Sequence, residues 1–398
     1  MKRIVLRSTR VLCPEGIQPA DVVLCHDLIE EVAPYASMDN SHAVLDLGRR
    51  LLAPGFIDLH SDAVEKEIEP RPGAAFPMES ALVELDKKLA MAGITTMFHA
   101  IAFNDESISG KRSTAHSAAL IRAIHQGNQS VLGVDNLIHA RYELTSFTSV
   151  ALLKELMASS RIQLLSFMDH RPGQGQFKTL DSWKNYHMQA YKLDLAQAEE
   201  AIARMQEHNK DCSRFMQELA VFARERHIPL ASHDDDSPAK IEAMAALGVC
   251  ISEFPLNEAS SRHAKHHTMA TGMGAPNVVR GQSQSGNISA RELIRAGCCD
   301  FLCSDYHPSS MLQAAYTMMR ELEMPLAHAF SFITSVPAQI MGLDDRGSIK
   351  AGALADLVLI EDERIAHNAH VAKVVLTLKS GQPVYSSGAC LFPLEMAA

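Results

Sequence analysis

Hydrophobic positions along the chain fall into three regimes. From Met1 to about Leu52, short apolar runs (Ile4-Val5-Leu6, Val11-Leu12, Val22-Val23-Leu24, Ala43-Val44-Leu45) are separated by polar, Gly or Pro breaks and predict short strands. A matching set ends the chain, with Ala355-Asp356-Leu357-Val358-Leu359-Ile360, Val371 to Thr377 and Pro383-Val384-Tyr385. Neither set carries enough apolar surface for a core of its own, so both chain ends are expected to pair into one small β-sandwich domain.

Between them, strands alternate with helices, the signature of an α/β chain with a parallel sheet. Phe56-Ile57-Asp58-Leu59 leads to a helix with Met78, Leu82, Leu85 and Leu89 on one face, stopped by Gly93 before Ile94-Thr95-Thr96-Met97-Phe98. Ser237-Pro238 predicts an N-cap and first-turn proline, with Gly248 ending that helix before Val249-Cys250-Ile251-Ser252. Ser289 with Glu292 reads as a capping box, and Asp300 to Ser304 follows Gly297 as a buried strand. Further strands near 136–144, 162–168, 228–232 and 269–274 bring the count to that of a closed (β/α)8 TIM-type barrel. Residues 177–226, which hold the single Trp183, are too long for a simple crossover and are expected to be helical elaboration. The expected organisation is residues 1–53 and 345–398 as the two parts of the β domain, with the barrel at 54–344.

Composition narrows the functions. Apolar residues make up 47% of 398 positions and charged residues 21%, as in a folded globular protein. A net charge of −10 disfavours nucleic acid, and no apolar run is long enough to span a membrane. An anionic small molecule remains a possible partner, because an acidic protein can still line one cleft with arginines, and a homo-oligomer stays open. Eight cysteines without CxxC spacing fit a reducing cytoplasm, and Arg7 and Arg10 interrupt the start too early for a signal peptide. Cys298, Cys299 and Cys303 read as packing.

The chemistry concentrates where predicted strands end. In a barrel of this kind the active site lies at the C-terminal strand ends. His60 and Asp62 follow the first strand, His139, Arg141 and Glu143 occupy the third, and Asp169 and His170 end the fourth. His233, Asp234 and Asp235 end the fifth, Glu253 the sixth, and Asp305, Tyr306 and His307 the eighth. Alternate residues share a strand face, so His60 and Asp62 project together, as do Arg141 and Glu143. A single histidine is more often a core or surface residue, as His99, His139 and the His266-His267 pair read here. His60, Asp62, His170, His233 and Asp305 differ because they recur at equivalent ends of successive strands. Imidazole and carboxylate donors without cysteine suit a catalytic divalent ion, zinc or manganese with iron as a further option, in one or two copies.

The run Pro54-Gly55-Phe56-Ile57-Asp58-Leu59-His60-Ser61-Asp62 resembles the PG-x-x-D-x-H-x-H opening motif of the amidohydrolase superfamily, with Asp62 where the second histidine normally lies. Lys66, Pro70-Arg71-Pro72-Gly73, Ser166 to Gln174, Ala231 to Asp235, Ser252 to Pro255, Met273 to Gly281 and Ser304 to Tyr306 resemble a phosphonate-metabolism branch of that superfamily. The chain departs from the branch at Gln284, where a histidine is expected, at Ala63, where an asparagine is expected, and at His307 after Tyr306. The resemblance implies a metal-dependent hydrolase that activates water, with Asp305 as both ligand and general base and Glu143 as a bridge between two ions. It further implies a triphosphate substrate cut between its α and β phosphates. Lys66, Arg71, Arg171 and Arg280 would then neutralise charge, with Tyr306 and His307 also on the substrate side. A C–N hydrolase of the same fold is the runner-up, and a catalytically dead barrel serving as an interaction protein is a third reading.

Overall fold

The computed structural model describes residues 3–38, 43–104, 113–171, 173, 179–191, 193–207, 209–283, 286–366 and 369–388. Gln284 lies outside them. The strands before the barrel are β1 (Arg3–Cys13), β2 (Gly16–Cys25), β3 (Leu28–Pro34), β4 (Ala43–Asp46) and β5 (Leu51–Pro54). Barrel strands follow as β6 (Phe56–Ser61), β7 (Ile94–Phe103), β8 (Asp135–Glu143), β9 (Leu164–Met168), β10 (Leu230–His233), β11 (Ile251–Glu253), β12 (Ala270–Gly274) and β13 (Phe301–Cys303). The chain ends with β14 (Leu357–Ala366), β15 (Ala369–Lys379) and β16 (Gln382–Ser386).

The two chain ends share one sheet, as the sequence predicts. Its order is β16-β15-β14-β5-β1-β2-β3, with β4 also on β1, and the junction is β5 antiparallel to β14 through Leu52↔Leu359. Alternation places Ile4, Leu6, Val22 and Leu24 from the N-terminal strands with Leu357, Leu359, Leu376 and Leu378 from the C-terminal ones in a single core. That shared core is why neither terminal segment shows enough apolar positions by itself.

The second sheet runs in the order β6 through β13, the strand series of a (β/α)8 barrel with helices between the strands. Every residue of β6, β7 and β9 is buried, as expected of parallel strands covered on both faces. Closure is visible between β6 and β13: Ser61 and Asp305 form a parallel bridge, Asp62 N–H donates to the Asp305 carbonyl (2.8 Å), and Asp305 N–H donates to the His60 carbonyl (2.9 Å). Gly55, at the entry to β6, leaves no room for a side chain, since an added Cβ would lie 2.2 Å from Thr95 Oγ1. Two compact units result, Met1–Met97 with Gly127–Asn136 and Phe301–Ala398, and Phe98–Gln126 with Leu137–Asp300.

Local signals behave largely as expected. The helix Met78–Ala92 buries Leu82, Leu85 and Leu89 and stops at left-handed Gly93 (φ 85°). Ser237 caps the helix Pro238–Ala246 by accepting from Lys240 N–H. Ser289 caps its helix through Arg291 N–H rather than Glu292 N–H, so the expected box is reduced to a simple cap. The long insertion is helical at Leu180–Tyr191, Leu195–Glu207 and Asn209–Arg224, with Trp183, Ala198, Ala201 and Ile202 forming its own small core. Cys298, Cys299 and Cys303 are buried. No described helix is long and apolar enough to cross a membrane.

One ion network in the first unit tests these energetics. Asp135, at the start of β8, receives Lys379 Nζ (2.8 Å) and Arg346 Nη1, while Lys379 also reaches Asp356 (2.7 Å) and Arg346 reaches Thr96 Oγ1 (3.0 Å). Burial pushes the Asp135 carboxyl up, but Lys379 and Arg346 outweigh it and hold it below the usual carboxylate range. A depressed carboxylate stabilises the fold above its unfolded pKa of about 4 and loses that contribution as pH falls through the folded value. Asp135→Asn is therefore expected to lower stability at pH 7 by about 1 kcal/mol, reduced by the partial exposure of the carboxylate, with the gap to wild type closing below pH ~4. Urea unfolding across that range checks it; a gap independent of pH would refute this origin.

Candidate active site

In the first unit, His60, Asp62 and Asp305 come together because the barrel closes there. His60 is almost fully buried at the end of β6, and the backbone of Asp305 is bonded on both sides, by His60 and by Asp62. Ser61 Oγ donates to the Asp305 carbonyl (2.9 Å) and Ser304 Oγ donates to Ser61 Oγ (2.9 Å), which fixes the two strand ends against each other. Asp62 precedes the helix Ala63–Ile68, yet its carboxylate makes no cap hydrogen bond to it. Beneath them, buried Asp58 accepts from Ser304 N–H (2.9 Å) and His60 N–H (3.3 Å). Burial pushes its carboxyl up to about 6, with the Ser304 and His60 bonds opposing.

In the second unit, β8, β9, β10 and β11 present a denser cluster. Glu143 at the end of β8 accepts from His170 N–H (3.2 Å) and faces His170 Nδ1 at 2.8 Å. A carboxylate accepts only, so Nδ1 carries a proton, and Nε2 lies 4.0 Å from Asp234 Oδ2. His233 Nε2 lies 3.8 Å from Asp234 Oδ1, and His233 Nδ1 lies 3.6 Å from Glu253 Oε2. Ligand atoms of His170, His233 and Asp234 all fall within 4.8 Å of one another. Two imidazoles with a carboxylate and no thiolate form a donor set that fits zinc or manganese.

The surrounding groups hold this cluster in place. Trp183 Nε1 donates to the His170 carbonyl (2.8 Å), so the tryptophan of the insertion anchors a candidate ligand. Asp235 is fully buried and accepts from Ser232 Oγ and Ser252 Oγ (2.5 Å each), while Lys240 Nζ donates to the carbonyls of His233 (2.8 Å) and Asp234 (3.2 Å). Burial pushes the Asp234 and Glu253 carboxyls up, against the pull of His170, Lys240 and Arg141 on the first and of His139 and Arg141 on the second.

The expected substrate residues are placed less uniformly. Lys66 Nζ sits over the Tyr306 ring at 4.4 Å, so these two are brought together next to Asp305. Arg171 is engaged with Asp169 through Nε (2.7 Å) and Nη2 (2.6 Å), which raises its pKa further. Arg71, Arg280 and His307 are exposed, Arg71 in a tight turn and Arg280 at a helix end capped by Gly281. Arg141, Asp234, Glu253 and Trp183 join the site geometry without having been assigned a role from sequence. For Asp234 the usable signal is its position beside His233, whereas the contact of Trp183 leaves no trace in the sequence pattern.

Comparison with known proteins bears on the family and the fold. A family model described as "Amidohydrolase family" matches residues 78–385. The chain is 36% identical over 318 residues to the alpha-D-ribose 1-methylphosphonate 5-triphosphate diphosphatase of Escherichia coli (strain K12), covering 77% of this chain and 82% of that protein. A local match of 30% over 113 residues joins it to an N-acyl-D-glutamate deacylase of Alcaligenes xylosoxydans xylosoxydans, covering 26% of this chain and 23% of that one. Among solved structures, the N-acetylglucosamine-6-phosphate deacetylase of Pasteurella multocida shares the fold with a TM-score of 0.63 at 11% identity, covering 96% of this chain and 99% of that chain. With the motif at Pro54 to Asp62, the barrel and the strand-end donors in place, the chain belongs to the amidohydrolase family.

Proposed function

We propose that this hydrolase removes diphosphate from a ribose 5-triphosphate that carries a phosphonate at C1. The observation that carries the substrate assignment is the likeness to the Escherichia coli diphosphatase across 77% of the chain. Each unit carries candidate donors at C-terminal ends of barrel strands: His60, Asp62 and Asp305 in the first, and the cluster of His170, His233 and Asp234 in the second. A divalent ion bound by these donors would polarise the phosphoryl oxygens and lower the pKa of the attacking water.

The residues supply the rest. Asp305, held in a left-handed conformation at φ 59° after β13, takes the proton of the attacking water. Glu143 fixes the ring and tautomer of His170, and the Trp183 bond fixes its backbone. Water adds to the α phosphorus, the bond to the bridging oxygen breaks, and diphosphate leaves, the second product being the ribose 5-monophosphate that still carries the phosphonate at C1. Lys66, stacked on Tyr306, neutralises charge on the leaving group, with Arg71 and Arg280 as exposed cations of the same class. The alternative, hydrolysis of a C–N bond, draws on the local likeness to the deacylase and needs the same donors with less cationic lining.

Phosphorus NMR of purified protein loaded with zinc or manganese, given the ribose 5-triphosphate, is expected to show diphosphate release that a chelator stops. Asp305→Asn is expected to lower turnover at least ~100-fold in a folded protein. No phosphorus chemistry, with turnover instead on an amide or imide panel, would replace this reading by the alternative. Trp183→Phe, which keeps the ring but loses the donor, is expected to weaken zinc affinity about tenfold by chelator competition; unchanged affinity would remove Trp183 from the support of His170.

A further inference from the structure

Arg141 is 7% exposed, and its Nη2 lies 3.0 Å from His233 Nε2. A guanidinium has donors only, so His233 Nε2 must accept and the ring proton must sit on Nδ1. On that other side, 3.6 Å away, is Glu253 Oε2, a carboxylate oxygen. The Arg141 bond thus sets the tautomer of His233, and the Glu253 carboxylate lies on the side to which the ring proton is directed.

An imidazole nitrogen has one lone pair in the ring plane. We propose that Arg141 is a positioning residue that contends with a divalent cation for the lone pair of His233 Nε2, so that cation loading frees the guanidinium for an anionic ligand. This rests on the metal-hydrolase reading above and extends it to the order of binding. A buried guanidinium is costly without an acceptor, and Arg141 Nε has no hydrogen-bond partner among the described residues. Once the cation takes Nε2, the guanidinium needs new acceptors, and the fork of donors it carries matches phosphate oxygens. Cation and anion binding are then positively coupled through one side chain, and the coupling is reciprocal. The nearby carboxylates Asp234 and Glu253 also attract the guanidinium, and so keep it at this end of the barrel strands in either arrangement.

Three readouts test this without relying on turnover. Nitrogen NMR of the imidazoles in the chelator-treated wild type is expected to place the His233 proton on Nδ1, and a proton on Nε2 would overturn the proposal. Arg141→Met is expected to bind zinc about tenfold more tightly by chelator competition, the worth of one charge-assisted hydrogen bond. Zinc affinity that is unchanged or weaker in Arg141→Met overturns the contention and leaves the hydrolase reading standing, whereas a wild-type chain that binds no divalent cation overturns both. Titration with inorganic tripolyphosphate supplies the third readout. Zinc is expected to strengthen its binding to wild type about tenfold more than to Arg141→Met, and equal strengthening overturns the coupling.

Discussion

Three residues that follow barrel strands, Asp234, Phe254 and Asp305, hold left-handed backbone at φ 52°, 53° and 59°. Each gives its N–H to a carbonyl at the end of the next strand round: Asp234 to Glu253 (3.0 Å), Phe254 to Gly272 (2.9 Å) and Asp305 to His60 (2.9 Å). The left-handed region costs a non-glycine residue about 1–2 kcal/mol. The fold accepts that cost after β10, β11 and β13 because the bend lets a strand leave the sheet while an N–H at its end stays paired. The side chain at the bend is held by the backbone on either side, which is the preorganisation a carboxylate needs to serve as ligand or base. Where the series closes, at Asp305, the same bond ties the last strand to the first.

That constraint explains which parts of the molecule could be read from sequence. The strands were legible because parallel strands covered on both faces leave nearly continuous apolar runs, as in β6 and β9. β7 runs on to Phe103, past the expected Phe98, because His99 interrupts the apolar pattern while being buried itself. The pairing of the chain ends followed from their lack of separate cores, and β5 beside β14 bears it out. The strand-end placement of His60, Asp62, His170, His233 and Asp305 was legible for the same reason, since a strand that is found locates its own end.

Contacts made by long or distant side chains were not legible. The bond from Trp183 to the His170 carbonyl spans a stretch whose path over the barrel no periodicity encodes. Arg171 follows His170 and looked available to a substrate, but Asp169, two residues earlier, takes its guanidinium in two hydrogen bonds. Arg141 shares a strand face with Glu143, which gave its direction; its partner on β10 depended on the register His139↔Leu164 and Ser232↔Phe167, and register between strands is not a local property. Lys66 and Tyr306 were each singled out separately, and only the closure of β6 on β13 stacks one over the other.

Charge supplies the last step. Glu143, Asp234, Asp235 and Glu253 crowd the strand ends of the second unit, and the fixed cations set among them are Arg141 and Lys240. Burial alone pushes Asp234 and Glu253 toward their neutral forms. Lys240 and Arg141 oppose that push on Asp234, and Arg141 opposes it on Glu253, while the neighbouring Asp235 carboxylate adds to it. Glu143 holds a proton on Nδ1 of His170, and Arg141, a donor only, directs the ring proton of His233 to Nδ1. His170 Nε2 and His233 Nε2 lie 4.0 and 3.8 Å from the Asp234 carboxylate, the latter also bonded to Arg141. Two imidazole nitrogens and a carboxylate without a thiolate form a donor set suited to a divalent ion, and the bonds that orient the rings hold that set in place.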